Sequence, residues 1–152
     1  MYKKVLAENR KAWHDYSIIE TMQAGIELSG TEVKSVRNGK ATLKDSFGRV
    51  ERGEIWLYNM HISPYEKGNR YNLEPDRPRK LLLKKQEIKK LIGRISEKGL
   101  TLIPLKLYAR GNWVKVDLAL VKSKKLFEKR DAIKKKEAER EIERNLSLRR
   151  KE

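Results

Sequence analysis

The sequence predicts a mainly β fold: a small closed antiparallel barrel with two or three helices and a basic C-terminal tail. Three observations carry this. Val114, Val116, Leu118 and Leu120 alternate with Lys115, Asp117, Ala119 and Val121, the period-2 pattern of a strand with one face in a core. Turn chemistry separates β-favouring runs at Ala109-Arg110-Gly111-Asn112 and at Arg52-Gly53. From Lys122 to Glu152, 20 of 31 residues are charged, and the few apolar side chains are too sparse to bury.

In chain order, a strand is expected over 16–22, resuming at 26–28 after a break at Ala24-Gly25. A short helix follows over 31–36, ended by Asn38-Gly39. Strands over 42–50 and 54–62 form a hairpin about Arg52-Gly53. Between His61 and Lys80, Pro64, Gly68, Pro75 and Pro78 predict a long mobile loop. Ile88, Leu91, Ile92 and Ile95 fall at i, i+3, i+4 and i+7, predicting an amphipathic helix over 85–97 stopped by Gly99. Strands over 100–108 and 114–121 close the body as a hairpin. Five or six short antiparallel strands in about 120 residues favour closure, which removes exposed sheet edges. An oligonucleotide-binding barrel is the first choice and a sandwich the alternative.

The chain divides into a body, 1–121, and a tail, 122–152. The tail should be soft alone, because burying Ile133, Ile142, Leu146 and Leu148 would not offset the entropy of ordering the rest. Its helix formers, Lys134-Lys135-Lys136-Glu137-Ala138-Glu139-Arg140-Glu141, would take helical form where a polyanion neutralises the cations. The 152 residues carry a net charge of +16. The body holds 24 Lys and Arg against 14 Asp and Glu, the tail 13 against 7, so both face anionic partners. Ion pairing for stability would raise the number of charges without biasing their sign.

With no cysteine, disulfides, thiolate catalysis and Cys-ligated zinc are excluded. The absence of a long apolar run excludes a transmembrane helix, and residues 1–10 lack a signal-peptide pattern, so a cytoplasmic protein is expected. His14 and His61 have no metal-ligand spacing, Gly48, Gly53 and Gly68 read as turn residues, and the spacing of Glu27, Glu32 and Asp45 argues for no acid/base pair. A non-enzyme without cofactor or metal is expected. Basic residues interleaved with aromatics are the stronger signal, since rings stack on exposed bases while Lys and Arg hold phosphates. They occur at 9–16, 40–47 and 124–130. Trp13, Tyr16 and Phe47 read equally well as packing residues, whereas Phe127, standing among charges, reads as an exposed stacking residue.

The strings Asn9-Arg10-Lys11-Ala12-Trp13-His14-Asp15-Tyr16, Ala24 to Arg37, Gly39-Lys40-Ala41, Asp45-Ser46-Phe47, Arg79-Lys80-Leu81-Leu82-Leu83, Gly99 to Leu105 and Lys124-Lys125 with Lys129-Arg130 give the chain a further meaning. In that order they closely resemble the SmpB family, which binds transfer-messenger RNA (tmRNA) in bacteria. The resemblance covers nearly the whole chain. It implies a barrel related to the oligonucleotide-binding fold and a tail disordered in solution. It also implies delivery of the tRNA-like domain of tmRNA to stalled ribosomes, with the tail entering the decoding centre and empty mRNA channel, so that the nascent chain is tagged for degradation. A monomer bound to its RNA is expected.

Carried over by position, the resemblance implies an RNA-contacting or RNA-supporting surface of Asn9, His14, Tyr16, Gln23, Gly39, Lys40, Asp45, Ser46, Phe47, Leu82 and Lys115. The ribosome-facing start of the tail would comprise Lys124, Lys125, Phe127, Glu128, Lys129, Arg130, Ile133 and Lys134. Lys40 and Lys115 suit phosphates, Gly39 a close backbone approach, and Phe47 and Phe127 stacking. Leu82 reads as holding the surface's shape. The chain departs from the family's usual pattern at Gln23, where glutamate is usual, at Ser123 for glycine, at Glu128 for aspartate and at Lys84 for histidine or asparagine. A general single-stranded RNA-binding barrel or a ribosomal protein would share the charge, strands and aromatics, and is the alternative reading. A membrane-surface role is disfavoured because the tail has no broad amphipathic face.

Overall fold

The computed structural model describes residues 3–68, 72–96, 99–124 and 126–150. Its elements in order are β1 (Lys3–Glu8), α1 (Lys11–Asp15), β2 (Tyr16–Ile26), α2 (Gly30–Arg37), β3 (Ala41–Thr42), β4 (Phe47–Glu51), β5 (Glu54–Tyr58), β6 (His61–Ile62), β7 (Arg79–Leu82), α3 (Lys85–Ile95), β8 (Leu100–Arg110), β9 (Trp113–Ser123) and α4 (Leu126–Arg150). The described residues thus hold nine strands and four helices, more than the five or six strands and two or three helices expected.

Seven strands form an antiparallel sheet in the order β1-β8-β4-β5-β7-β2-β9, and β9 also pairs with β8. That last pairing closes a circuit and makes the sheet barrel-like. Closure depends on β8, which reaches β4 through Leu102 and holds β1 against residues 106–110. A bulge between Pro104 and Lys106 separates these two regions. Proline has no N–H to give a ladder, so the strand bends where pairing is interrupted.

Alternation at 114–121 yields more than a single buried face. Val116, Leu118 and Leu120 enter the main core with Leu57, Leu81, Leu102 and Leu107. Ala119 and Val121 on the opposite face join a second cluster with Ala12, Ile103 and Leu105, against which Tyr16, Ile18 and Phe47 pack. Short α1 supplies the cover, which residue patterning did not reveal: five residues make too brief a run for a helical period to show.

Several expectations are corrected by packing. β2 runs unbroken through Ala24-Gly25, because Gly25 lies opposite Leu82 of β7. A Cβ at Gly25 would sit only 3.1 Å from that of Leu82, so the glycine permits close strand approach instead of ending the strand. The strand expected over 42–50 is interrupted. Ala41 and Thr42 pair with Ile62 and His61 in a separate two-stranded sheet, and the chain turns through Asp45, whose φ of 61° is left-handed, before β4 begins. The Arg52-Gly53 hairpin forms as expected, with φ of 52° and 75° suited to a two-residue turn with both residues left-handed.

The stretch between β6 and β7 was expected to be a mobile loop, but its described part is tied down. Tyr65 N–H donates to the Asn72 side-chain oxygen at 2.9 Å, the Asn72 amide donates back to Tyr65 O at 2.8 Å, and Ile62 N–H donates to Pro75 O at 3.0 Å. Beyond it, Arg79 is fully buried. Its Nε donates to Glu32 Oε2 at 2.7 Å, Nη2 to Pro75 O at 2.9 Å and Nη1 to Met60 O. Arg77 also donates to Glu32, through Nε at 3.2 Å and through Nη2. One buried carboxylate therefore joins α2, the loop and β7. Burial alone would raise the Glu32 pKa, but the hydrogen bonds from Arg77, Ser29 and Arg79, with the Arg79 charge, outweigh it and hold the pKa below its ordinary value.

Helix ends follow local chemistry. Ser29 and Glu32 form a reciprocal capping box at the start of α2. At its end, Gly39 N–H donates to Val36 O and Lys40 N–H to Ser35 O, both at 3.0 Å, the paired bonds of a Schellman stop with Gly39 at φ 73°. α3 buries Ile88 and Leu91, half-buries Ile95 and leaves Ile92 at the exposed margin. The Glu97 expected in this helix lies outside the described residues, and Gly99 has φ 85°. Lys90 and Arg94 both donate to Glu20 and tie α3 to β2.

The tail forms α4, a helix of 25 residues where the resemblance implies disorder in solution. Ala, Lys, Arg and Glu favour it, and Glu137/Arg140 and Glu141/Arg144 place opposite charges three residues apart. Residues 134–148 are exposed, so little packing stabilises that part of the helix.

Candidate nucleic-acid interface

The eleven body residues expected to serve RNA fall in three places. Asn9, Tyr16, Asp45, Ser46 and Phe47 line one cleft of about 270 Å³, together with Lys11, and His14 lies on the same short helix as Lys11. Gln23, Leu82 and Lys115 lie on one face of the sheet, where Gly25 pairs with both Lys115 and Leu82 and Gln23 pairs with Asp117. Gly39 and Lys40 close α2, and Lys40 borders a separate cleft with Tyr65 and Lys67.

Within the first cleft, not every residue is free to touch a ligand. Asn9 is 8% exposed; its side-chain amide donates to Pro104 O at 3.0 Å and its backbone N–H to Leu105 O at 2.8 Å. It satisfies carbonyls at the β8 bulge and thereby seats α1 against the sheet. Ser46 is buried, and its hydroxyl and N–H both bond to Leu43 O. It fixes the turn that presents Asp45 and Phe47. Exposed Asp45 carries the carboxylate, while half-buried Phe47 stacks on Tyr58 with centroids 5.6 Å apart and planes 11° apart. Arg49 lies over the Tyr58 ring at 6.0 Å. The Tyr58 pKa is raised, first by its hydrogen bond to Glu51.

This chemistry suits edges and planes better than bulk phosphate. Asp15 and Asp45 accept hydrogen bonds, as from base amino groups or ribose hydroxyls, and Tyr16 and Phe47 border the cleft with rings. Of the cations, Lys11 lines this cleft, whereas Lys40 borders the separate cleft and Lys115 lies on the sheet face. Among the described residues no three His, Asp or Glu side chains are grouped to hold a metal ion, and no helix is long and apolar enough to cross a membrane.

α1 also meets the tail. Lys124 N–H donates to Asp15 O at 3.1 Å and Lys124 Nζ to Trp13 O at 3.3 Å, so a cation caps the C-terminal carbonyls of α1. Further along, Lys136 Nζ lies 3.4 Å from His14 Nε2. Lys134 is exposed on α4. Lys125 lies outside the described residues, as do the side chains of Phe127, Glu128, Lys129, Arg130 and Ile133.

Residue patterning missed the role of Glu32, Arg77 and Arg79, because charges distant in sequence give no sign of being buried together. Trp113, 70% exposed, was also passed over. Its place one residue after the Gly111-Asn112 turn, in phase with Lys115, was the available signal.

A family model described as SmpB protein matches residues 6–148. The chain is 60% identical over 147 residues to an SsrA-binding protein of Carboxydothermus hydrogenoformans, covering 97% of this chain and 99% of the relative. It is 64% identical over 140 residues to an SsrA-binding protein of Caldanaerobacter subterraneus subsp. tengcongensis, covering 92% and 89%. A solved structure described as "tmRNA-SmpB: a journey to the center of the bacterial ribosome" matches with a TM-score of 0.66 and 53% identity, covering 78% of this chain and 84% of that one. Body and tail are included in the sequence match, and the barrel-like sheet has its counterpart among solved folds: the chain belongs to the SmpB family.

Proposed function

We propose that this protein binds tmRNA, the SsrA RNA, and brings its tRNA-like domain to stalled ribosomes as the protein partner of trans-translation. The observation that carries this reading is the similarity to SsrA-binding proteins, which extends across body and tail alike. The protein acts by binding, without catalysis and without a cofactor, in the cytoplasm and as a monomer on its RNA.

Residues 1–121 form the RNA-binding body and 122–152 the ribosome-directed tail, whose first two residues, Lys122 and Ser123, still pair with Ser17 and Tyr16 at the end of β9. In the body, Tyr16, Asp45 and Phe47 face the RNA, His14 and Gln23 flank them, and Lys40 and Lys115 meet phosphates. Asn9, Gly39, Ser46 and Leu82 hold the surface's shape. In the tail, Lys124, Lys125, Phe127, Glu128, Lys129, Arg130, Ile133 and Lys134 enter the decoding centre and the rest occupies the empty mRNA channel. A 25-residue helix spans about 37 Å at ~1.5 Å per residue, long enough to lie along a channel. RNA phosphates around its cations stabilise that helix further, while a channel holding mRNA excludes it.

Truncation after Val121 tests the division. Binding to a tRNA-like-domain transcript should persist while tagging of nascent chains is lost. Equal loss of both would overturn it. A general single-stranded RNA binder would show no preference for the folded transcript over unstructured RNA, and a ribosomal protein would co-purify with subunits in stoichiometric amount.

A further inference from the structure

We propose that Trp113 is a stacking platform for an unpaired base of the bound RNA, extending the RNA surface to the tip of the β8–β9 hairpin. The inference rests on the function proposed above and assigns a contact to a residue outside the cleft.

Trp113 is the most exposed large apolar side chain among the described residues, at 70%. An indole left in water forgoes burial that would stabilise the fold, so folding alone gives no reason for it here. Nor does it sit on a loose segment. Gly111 and Asn112 form a two-residue turn, Arg110 pairs directly with Trp113, and Arg37 Nη2 at the end of α2 donates to Gly111 O at 3.2 Å. The ring therefore stands on a braced hairpin, which lowers the entropy lost when it meets a flat partner.

Its neighbours give the chemistry of that partner. Strand alternation and register put Arg110, Trp113 and Lys115 on one face. On the same face a row crosses five strands: Val5 pairs with Tyr108, Tyr108 with Lys115, Lys115 with Gly25 and Gly25 with Leu82. Gly25 contributes no side chain in the middle, and Val5 and Leu82 at the ends are 47% and 48% exposed. Tyr108 in this row is fully buried, so the groups this face offers are Trp113, Arg110, half-buried Lys115 and the apolar ends Val5 and Leu82, a cationic and partly apolar set complementary to a polyanion carrying aromatic planes. Stacking is tolerant of base identity, so the contact selects an unpaired base more than a particular sequence.

The test uses the full chain with two probes: a transcript of the tRNA-like domain of tmRNA and a fully paired RNA duplex of equal length. Trp113→Ala should weaken transcript binding by roughly 5- to 150-fold, the range for loss of one stacked base, with an unchanged salt slope. Lys115→Ala should lower the slope by about one contact. Trp113→Phe should recover most of the affinity, and duplex binding should not respond to Trp113→Ala. The proposal is overturned if Trp113→Ala binds the transcript within about twofold of the wild type, below the range for a lost stack, as it would were the indole a protein-docking residue. It is also overturned if the loss comes with a reduced salt slope, or falls equally on the duplex. A wild-type chain that does not prefer the transcript removes the proposed function, and this inference with it.

Discussion

Replacing Glu32 with glutamine removes one negative charge from a site where two guanidinium groups converge. Glu32 is 5% exposed and Arg79 fully buried, so water cannot compensate. The introduced amide would keep an oxygen for one donor but offer an N–H₂ to the other, placing donors against donors. Arg79 would retain Met60 O and Pro75 O and lose its counter-charge. Breaking a buried pair by removing one partner costs about 3–5 kcal/mol. Because Arg77 is part-exposed and can turn toward solvent, the lower end, about 3 kcal/mol, is expected. Urea unfolding followed by far-UV circular dichroism at pH 7 measures it.

The same variant predicts a pH dependence. Glu32 has a folded pKa below its ordinary value of 4.5, so its contribution to stability is complete above that value and is lost as pH falls through the folded pKa. The gap between wild type and Glu32→Gln should be full at pH 7 and close in acid, below the ordinary value. A loss under about 1 kcal/mol at pH 7, or a gap that does not narrow in acid, would refute the assignment of a charged, stabilising carboxylate at this position.

Gly48→Ala should destabilise by about 1–3 kcal/mol in the same assay, since a Cβ there would lie 2.8 Å from Leu102 Cβ at the β4–β8 crossing that helps close the sheet. Ser29→Ala should cost ~1 kcal/mol through loss of the α2 cap, seen as a lower urea midpoint with an unchanged m-value. Lys40→Ala and Lys115→Ala should each weaken binding of the tRNA-like transcript and reduce its salt slope by about one contact, measured by titration at several salt concentrations. Unchanged slopes in both would exclude these lysines from phosphate contact.

Strong local signals were legible from residues alone. The β8–β9 and β4–β5 hairpins, α2 with its glycine stop, and α3 follow from period-2 alternation, turn residues at Arg52-Gly53 and Ala109-Arg110-Gly111-Asn112, the Asn38-Gly39 break and an apolar i, i+3, i+4, i+7 stripe. Each requires only neighbours within a few residues. β1, α1, β6 and β7 were not resolved that way. They are short or weakly patterned, and their state depends on partners far along the chain, as with Lys3–Glu8 laid against residues 106–110. Gly25 illustrates the limit: read locally it breaks a strand, whereas in the sheet it is the position that lets β2 and β7 approach. The candidate site divides similarly. Its residue types and flanking cations were visible, but the separation of working groups such as Asp45 and Phe47 from supports such as Asn9 and Ser46 required the hydrogen-bond partners.

By itself the sequence determined a cationic, cysteine-free chain with a β-rich body and a charged tail able to form a helix, because composition and short-range periodicity fix charge and local conformation. Tertiary structure alone decided that the expected closure runs through β8 against β4 and β9 against β2, that Glu32, Arg77 and Arg79 meet out of solvent, and that α1 borders the cleft while holding the root of the tail. These outcomes depend on which distant groups satisfy one another's hydrogen bonds and charges, and such pairing has no one-dimensional signature.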